Sequence, residues 1–199
     1  MLRKIRSLVS NSDYIGIYDK ALSKKECEIL IKQFEKSDKI VRGNTVPNPG
    51  AKGLTKECSE LGCQFEDKSI ISNIVRPVLI SCLNQYLKKY DSLDITSPWK
   101  WYYHYNFQKY DGEEDGYFAW HCEQCSKYPG RILAWMFYLN DAKCGTEFWN
   151  YSPVRARIGR GVIWPSNWTH VHRGVTPNKG LKYIITGWVS YTEDPKTFL

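Results

Sequence analysis

Four histidines occur in the chain, at positions 104, 121, 170 and 172, and three of them stand beside apolar, strand-like runs. His121 and Glu123 are two residues apart. In a strand alternate side chains share a face, so this imidazole and carboxylate can converge on one point while Cys122 points the other way. His170 and His172 repeat the spacing and on the same ground share a strand face. They are either two ligands or one ligand and its neighbour, and spacing alone leaves that open. Two imidazoles and one carboxylate form the donor set of non-haem Fe(II) oxygenases, which leaves coordination positions free. Zinc hydrolases draw on the same donors, but the chain has no HExxH and no obvious general base placed for that chemistry.

Lys182 adds a second kind of information. In KYIITGWVS, residues 182–190, strand alternation puts Lys182, Ile184, Thr186 and Trp188 on one face and Tyr183, Ile185 and Val189 on the other. Both faces are largely apolar, so the strand is expected to be buried, and a lysine there is costly without an anionic partner. TPNKG, between His172 and Lys182, reads as a turn. The flanking segments then form an antiparallel hairpin that puts His172 and Lys182 on one interior surface. The competing reading is a lysine at the start of the strand, snorkelling to solvent.

These residues need elements to hold them. YIGIYD (14–19) reads as a short strand, and Ser23-x-x-Glu26 is a capping box opening a helix with Cys27, Leu30, Ile31 and Phe34 on one face. Residues 38–66, with NTVPNPGAKG, read as a long mobile loop and a candidate lid, as does DGEEDG (111–116). A second helical region covers 67–90, where Pro77 is expected to cause a kink or a new start. From residue 99 aromatic and β-branched runs alternate with turn signals, as in a sandwich or closed barrel. The expected fold is α+β, a single domain over 1–199 with a helical part at about 14–92 buttressing a β core at about 99–191.

Composition bounds the rest. Aromatic residues make up 15% of the 199, enough to offset modest aliphatic content in the core. Seven irregularly placed cysteines argue against a complete disulfide framework and for a reducing, cytoplasmic setting. Cys122 and Cys125 (CEQC) are read as buried structural thiols, since one CxxC alone is a weak metal signal. MLRKIRSLVS reads as an ordinary solvated start, and no apolar run is long enough for a membrane. The net charge of +7 comes from scattered lysines and arginines, so a generic basic surface is expected rather than a nucleic-acid partner.

WHCE (120–123), YLND (138–141), CGTEF (144–148) and GRGVIWPSNWTHVHRGVTPNKGLKYIITGW (159–188) together resemble the prolyl 4-hydroxylase-type 2-oxoglutarate/Fe(II) dioxygenases, particularly the compact phage and bacterial forms. The resemblance runs from the helix at 23–36 to Trp188. It implies a double-stranded β-helix (jelly-roll) barrel and iron held by His121, Glu123 and His172. The ten-residue step to Lys182, the family's spacing, selects His172 over His170. It implies further that Lys182 pairs with the far carboxylate of 2-oxoglutarate, that Tyr110 hydrogen-bonds the same carboxylate, and that Arg131, Trp188 and Phe118 lie near the substrate. Fe(II), 2-oxoglutarate and O2 are the implied reactants, with ascorbate as a stimulant and a peptide or protein as substrate. The chain departs from the pattern in Glu123 for the commoner aspartate, Phe118 for a tyrosine, a longer DGEEDG loop and CGTEF lacking its first glycine. Competing readings are an oxygenase of a nucleobase or small metabolite, of which the lysine anchor speaks against the nucleic-acid branch alone, and a jelly-roll binding module without catalysis.

Overall fold

The computed structural model describes residues 13–44, 56–112, 115–176 and 179–193. MLRKIRSLVS, most of NTVPNPGAKG and the middles of DGEEDG and TPNKG lie outside them. The chain runs β1 (Gly16–Tyr18), α1 (Lys24–Glu35), β2 (Val41–Asn44), β3 (Glu57–Gln64), α2 (Ile70–Lys89), β4 (Trp99–Trp101) and β5 (His104–Asp111). It continues through β6 (Tyr117–His121), β7 (Arg131–Tyr138), β8 (Gly145–Phe148), β9 (Val154–Arg155), β10 (Gly161–Pro165), β11 (His172–Gly174) and β12 (Leu181–Tyr191). The larger sheet has the order β1-β10-β7-β12-β5-β3-β2, with β4 also on β12; the smaller has the order β6-β11-β8-β9. With helices on one side of the larger sheet and the smaller sheet on the other, this is the expected α+β jelly roll.

Alternation in the central strands decides which way each residue faces. Trp135 and Phe137 of β7, and Tyr183, Ile185 and Val189 of β12, pack with Leu30 and Phe34 of α1 and Val75, Leu79 and Leu83 of α2. The intervening residues Ala134, Met136 and Tyr138, and Ile184 and Trp188, turn inward against Phe148 and Trp164. The helices start where the sequence says they should. Ser23 Oγ accepts from Glu26 N–H at 3.2 Å, and Glu26 Oε2 accepts from Ser23 N–H at 2.7 Å. Such a cap contributes about 1 kcal/mol.

Two expectations need correction. Pro77 starts no new helix: α2 is a single element from Ile70 to Lys89. Pro77 is exposed, so the carbonyl it leaves without an amide partner can be hydrated. Nor is 38–66 a continuous loop. Its two ends are β2 and β3, paired with each other, and β3 adds to β5 in the larger sheet. Leu61 and Cys63 face the helix side while Cys58 faces inward, so β3 is a strand that the surrounding Gly, Pro and Lys obscure.

The close fit of the helix-side layer is testable at Gly187, where an added Cβ would lie 2.4 Å from Trp135 Cζ2 and 3.0 Å from Tyr105 Cβ. Both rings are fully buried. Gly187→Ala should lose about 1–3 kcal/mol of stability, read from the urea unfolding midpoint. An unchanged midpoint would show this layer to be loosely packed.

Candidate active site

β11 lies beside β6 with His172 directly opposite His121, and this register brings the two rings to 4.4 Å between centroids. Each imidazole is oriented by its own backbone neighbourhood: His121 Nδ1 lies 2.9 Å from Ala119 O, and His172 Nδ1 lies 2.9 Å from His170 O. With Nδ1–H donating to those carbonyls, each Nε2 presents a lone pair inward. Glu123 follows β6 rather than belonging to it, so a bend after the strand, not strand alternation, delivers its carboxylate. Its Oε1 stands 3.6 Å from His121 Nε2 and 3.8 Å from His172 Nε2. One donor atom from each of the three residues lies within 4.8 Å of the other two.

The second oxygen of Glu123 is held by the opposite sheet. Trp188 Nε1–H donates to Oε2 at 2.8 Å, and Arg131 Nη1–H donates to it at 3.3 Å. The Arg131 guanidinium is itself stacked, 3.6 Å from the Trp188 ring centroid and 3.9 Å from that of Tyr128. Burial alone would raise the Glu123 pKa, but the two imidazoles outweigh it and hold the carboxyl well below its ordinary range. Burial, with repulsion from His121, lowers the pKa of His172. Both shifts favour the metal-binding forms, a carboxylate and a neutral imidazole.

Lys182 enters the same cavity by a different route from the expected one. β11 and β12 are in different sheets and do not pair, so the segment between them is a crossover and not a hairpin turn. Lys182 is 2% exposed, its Nζ donates to Val175 O at 2.9 Å, and burial lowers its pKa. Among the described residues no carboxylate pairs with it. Tyr110 of β5 is its directly paired neighbour, with Nζ 4.4 Å from the ring centroid. The Tyr110 hydroxyl donates to Gln108 Oε1 at 2.8 Å, and burial raises its pKa well above the ordinary value. The cavity, of about 670 Å³, is lined by His121, Glu123, His172, Lys182, Tyr110, Arg131 and Trp188 among others.

Other expected residues lie elsewhere. His170 is in a short 3-10 turn (Trp168–His170), not on the strand, and is bound between Thr169 Oγ1 at 2.8 Å and Asp13 O at 2.7 Å. His104 does not line the cavity, and neither does Phe118, which is 39% exposed. In place of Phe118 its neighbour Tyr117 turns inward and stacks on His121 at 3.6 Å. Cys122 is half-buried and Cys125 exposed, correcting the reading of buried thiols, although all seven cysteines are free as expected. Sequence reasoning missed Tyr117 and the wall formed by Lys56, Glu60 and Gln108, in which Glu60 Oε2 accepts from both Lys56 Nζ and Gln108 Nε2. Alternation of Lys56, Cys58 and Glu60 would have revealed that wall had residues 57–64 been read as a strand.

Two imidazole nitrogens and one carboxylate oxygen fit an octahedral Fe(II) with positions left open toward the cavity. Residues 105–190 match the family model of the 2OG-Fe(II) oxygenase superfamily. Among solved structures, the chain is similar to a viral collagen prolyl hydroxylase from Paramecium bursaria Chlorella virus-1 in complex with 2OG. That match has 16% identity and a TM-score of 0.67, over 92% of this chain and 99% of the other. A Trichoplax adhaerens prolyl hydroxylase, in complex with a hypoxia inducible factor peptide, matches at 14% identity and a TM-score of 0.67, over 90% and 84% of the two chains. SnoN, an alpha-ketoglutarate-dependent epimerase of nogalamycin biosynthesis, matches at 14% identity and a TM-score of 0.60, over 90% and 79%. At these identities the structures establish a common fold. No curated protein sequence matches the chain.

Trp188→Phe preserves a ring against Arg131 while removing the indole N–H from Glu123. Metal affinity, measured by competition with a chelator, should fall roughly 10–100-fold. Unchanged affinity would mean that Glu123 needs no support from the larger sheet.

Proposed function

From the match of residues 105–190 to the 2OG-Fe(II) oxygenase family model, we propose that the whole chain is one dioxygenase that hydroxylates prolyl residues in a peptide or protein, releasing succinate and CO2. His121, Glu123 and His172 bind iron, and Lys182 anchors the far carboxylate of 2-oxoglutarate. The observation that carries this reading is the buried Lys182 ammonium, which faces the same cavity as the triad and has no carboxylate partner among the described residues. A cation so placed needs an anion to offset its desolvation, and a dicarboxylate reaching from the metal supplies one.

Iron with 2-oxoglutarate and O2 supplies the oxidising chemistry, and ascorbate is proposed as a stimulant. The chain's residues orient and enclose. Trp188 and Arg131 fix the Glu123 carboxylate, so Oε1 is aimed at the metal position without reorganisation. Tyr110, held by Gln108, packs against the Lys182 ammonium and fixes its position. Tyr117 covers the His121 ring and limits water at that edge. The Trichoplax neighbour's peptide complex supports a peptide substrate.

A second reading is an oxygenase of a small metabolite. The cavity of about 670 Å³ is within the range of small-molecule sites and has room for more than the cosubstrate. The SnoN likeness shows that this fold is also used away from proline.

Incubation of a peptide library with Fe(II), 2-oxoglutarate and ascorbate separates the readings. Proline peptides gaining one oxygen, with matching succinate, support the first; succinate without a peptide product favours the second. Lys182→Ala should raise the KM for 2-oxoglutarate by roughly 100-fold or more, from loss of a buried charge partner. His121→Ala should abolish succinate formation, and normal turnover by that variant would refute the ligand set.

A further inference from the structure

The outward face of the smaller sheet carries rings and charges to which the triad and Lys182 assign no part. Phe118 and Trp120, two apart on β6, have the strand parity opposite to His121, and Trp120 is half-buried and also borders the cavity; Trp149 follows β8 and is 63% exposed. Trp120 and Trp149 meet edge-to-face at 5.0 Å between centroids. On the next strand the Arg173 guanidinium lies 4.5 Å from the Trp120 ring centroid, and Arg173 Nε donates to Glu147 Oε2 at 2.8 Å. Exposed aromatic rings of this size are uncommon without a binding role when they cluster.

A second pocket lies along β8 and β9 of the same sheet. Of about 500 Å³, it is lined by Lys143, Arg155 and Arg157, with Glu147, the partner of Arg173, in its wall. The acids of these segments are engaged: Glu147 by Arg173, and Asp141 as acceptor of Ile158 N–H at 3.0 Å. The sheet therefore carries two edge-to-face rings and, linked to them through the Arg173–Glu147 pair, three cationic side chains without paired carboxylates among the described residues, on a chain of net charge +7. These residues come from β6, β8, β9, β11 and the segments beside them, which is why the charges look scattered along the sequence.

We propose that this face binds single-stranded nucleic acid, with bases stacked on Trp149 and Trp120 and backbone phosphates held by Arg155, Arg157 and Lys143. A neutral glycan would use the rings and leave the basic pocket idle, and an acidic peptide would use the bases and leave the rings idle. A single strand uses both, since every base offers a flat face and every nucleotide an anion. None of the side chains it uses is assigned to iron or 2-oxoglutarate, so the proposal goes beyond the oxygenase reading and stands or falls independently of it.

The test is fluorescence anisotropy of labelled, mixed-sequence 12-nucleotide DNA and RNA with the full chain, across a salt series. Binding should weaken with salt at a log–log slope of about −2, from roughly −0.7 for each of three phosphates contacted. Trp149→Ala should weaken it at least about tenfold by removing one stacking platform. The double variant R155E/R157E should lose binding and the salt slope together. The three side chains replaced on this face are exposed, and matching urea midpoints verify that the variants remain folded. No oligonucleotide binding at low salt would overturn the proposal. So would binding indifferent to Trp149→Ala, or a neutral oligosaccharide or acidic peptide competing equally well for the same face.

Discussion

The Glu123 carboxylate is the point on which both sheets converge. Its Oε1 faces the imidazoles that β6 and β11 supply from the smaller sheet, and its Oε2 is held by Arg131 of β7 and Trp188 of β12 in the larger one. A buried carboxylate without such partners would cost several kcal/mol. The jelly roll therefore needs both sheets at a fixed separation to satisfy this one group, and the same separation leaves the cavity beside it.

The cavity has two differently built regions. Around Glu123 are donors suited to a divalent cation; around Lys182 is a buried ammonium packed on Tyr110 and bounded by Gln108 and Glu60. A ligand with a chelating end and a distant carboxylate matches that polarity, as the proposed oxygenase reading requires and a bare zinc site does not. The wall of Lys56 and Glu60 comes from β3, so the segment that reads as a loop also shapes what else the cavity admits.

Much of this was legible because strand alternation is a strong constraint. β12 has the expected two faces, Lys182, Ile184, Thr186 and Trp188 inward and Tyr183, Ile185 and Val189 toward the helices. The capping box at Ser23 and the apolar spacing of α2 were equally readable, since both follow from local geometry. What local pattern does not encode is which strands pair. His172 and Lys182 are ten residues apart yet belong to opposite sheets, and their convergence comes from closure of the barrel. Glu123 reaches the site through a bend that no periodicity predicts, and Phe118 and Tyr117 exchange the expected roles because the strand presents the other parity inward. Charge clustering is likewise a tertiary property, visible only once β8, β9 and β11 lie side by side.

The most direct measurement is a calorimetric titration of 2-oxoglutarate into the protein, with and without Mn(II) as a redox-silent substitute for Fe(II). One molecule should bind per chain, tightly when the metal is present and far more weakly when it is absent. Equal affinity in the two titrations, or no binding to the metal-loaded protein, would contradict a site in which the metal and Lys182 hold opposite ends of one dicarboxylate.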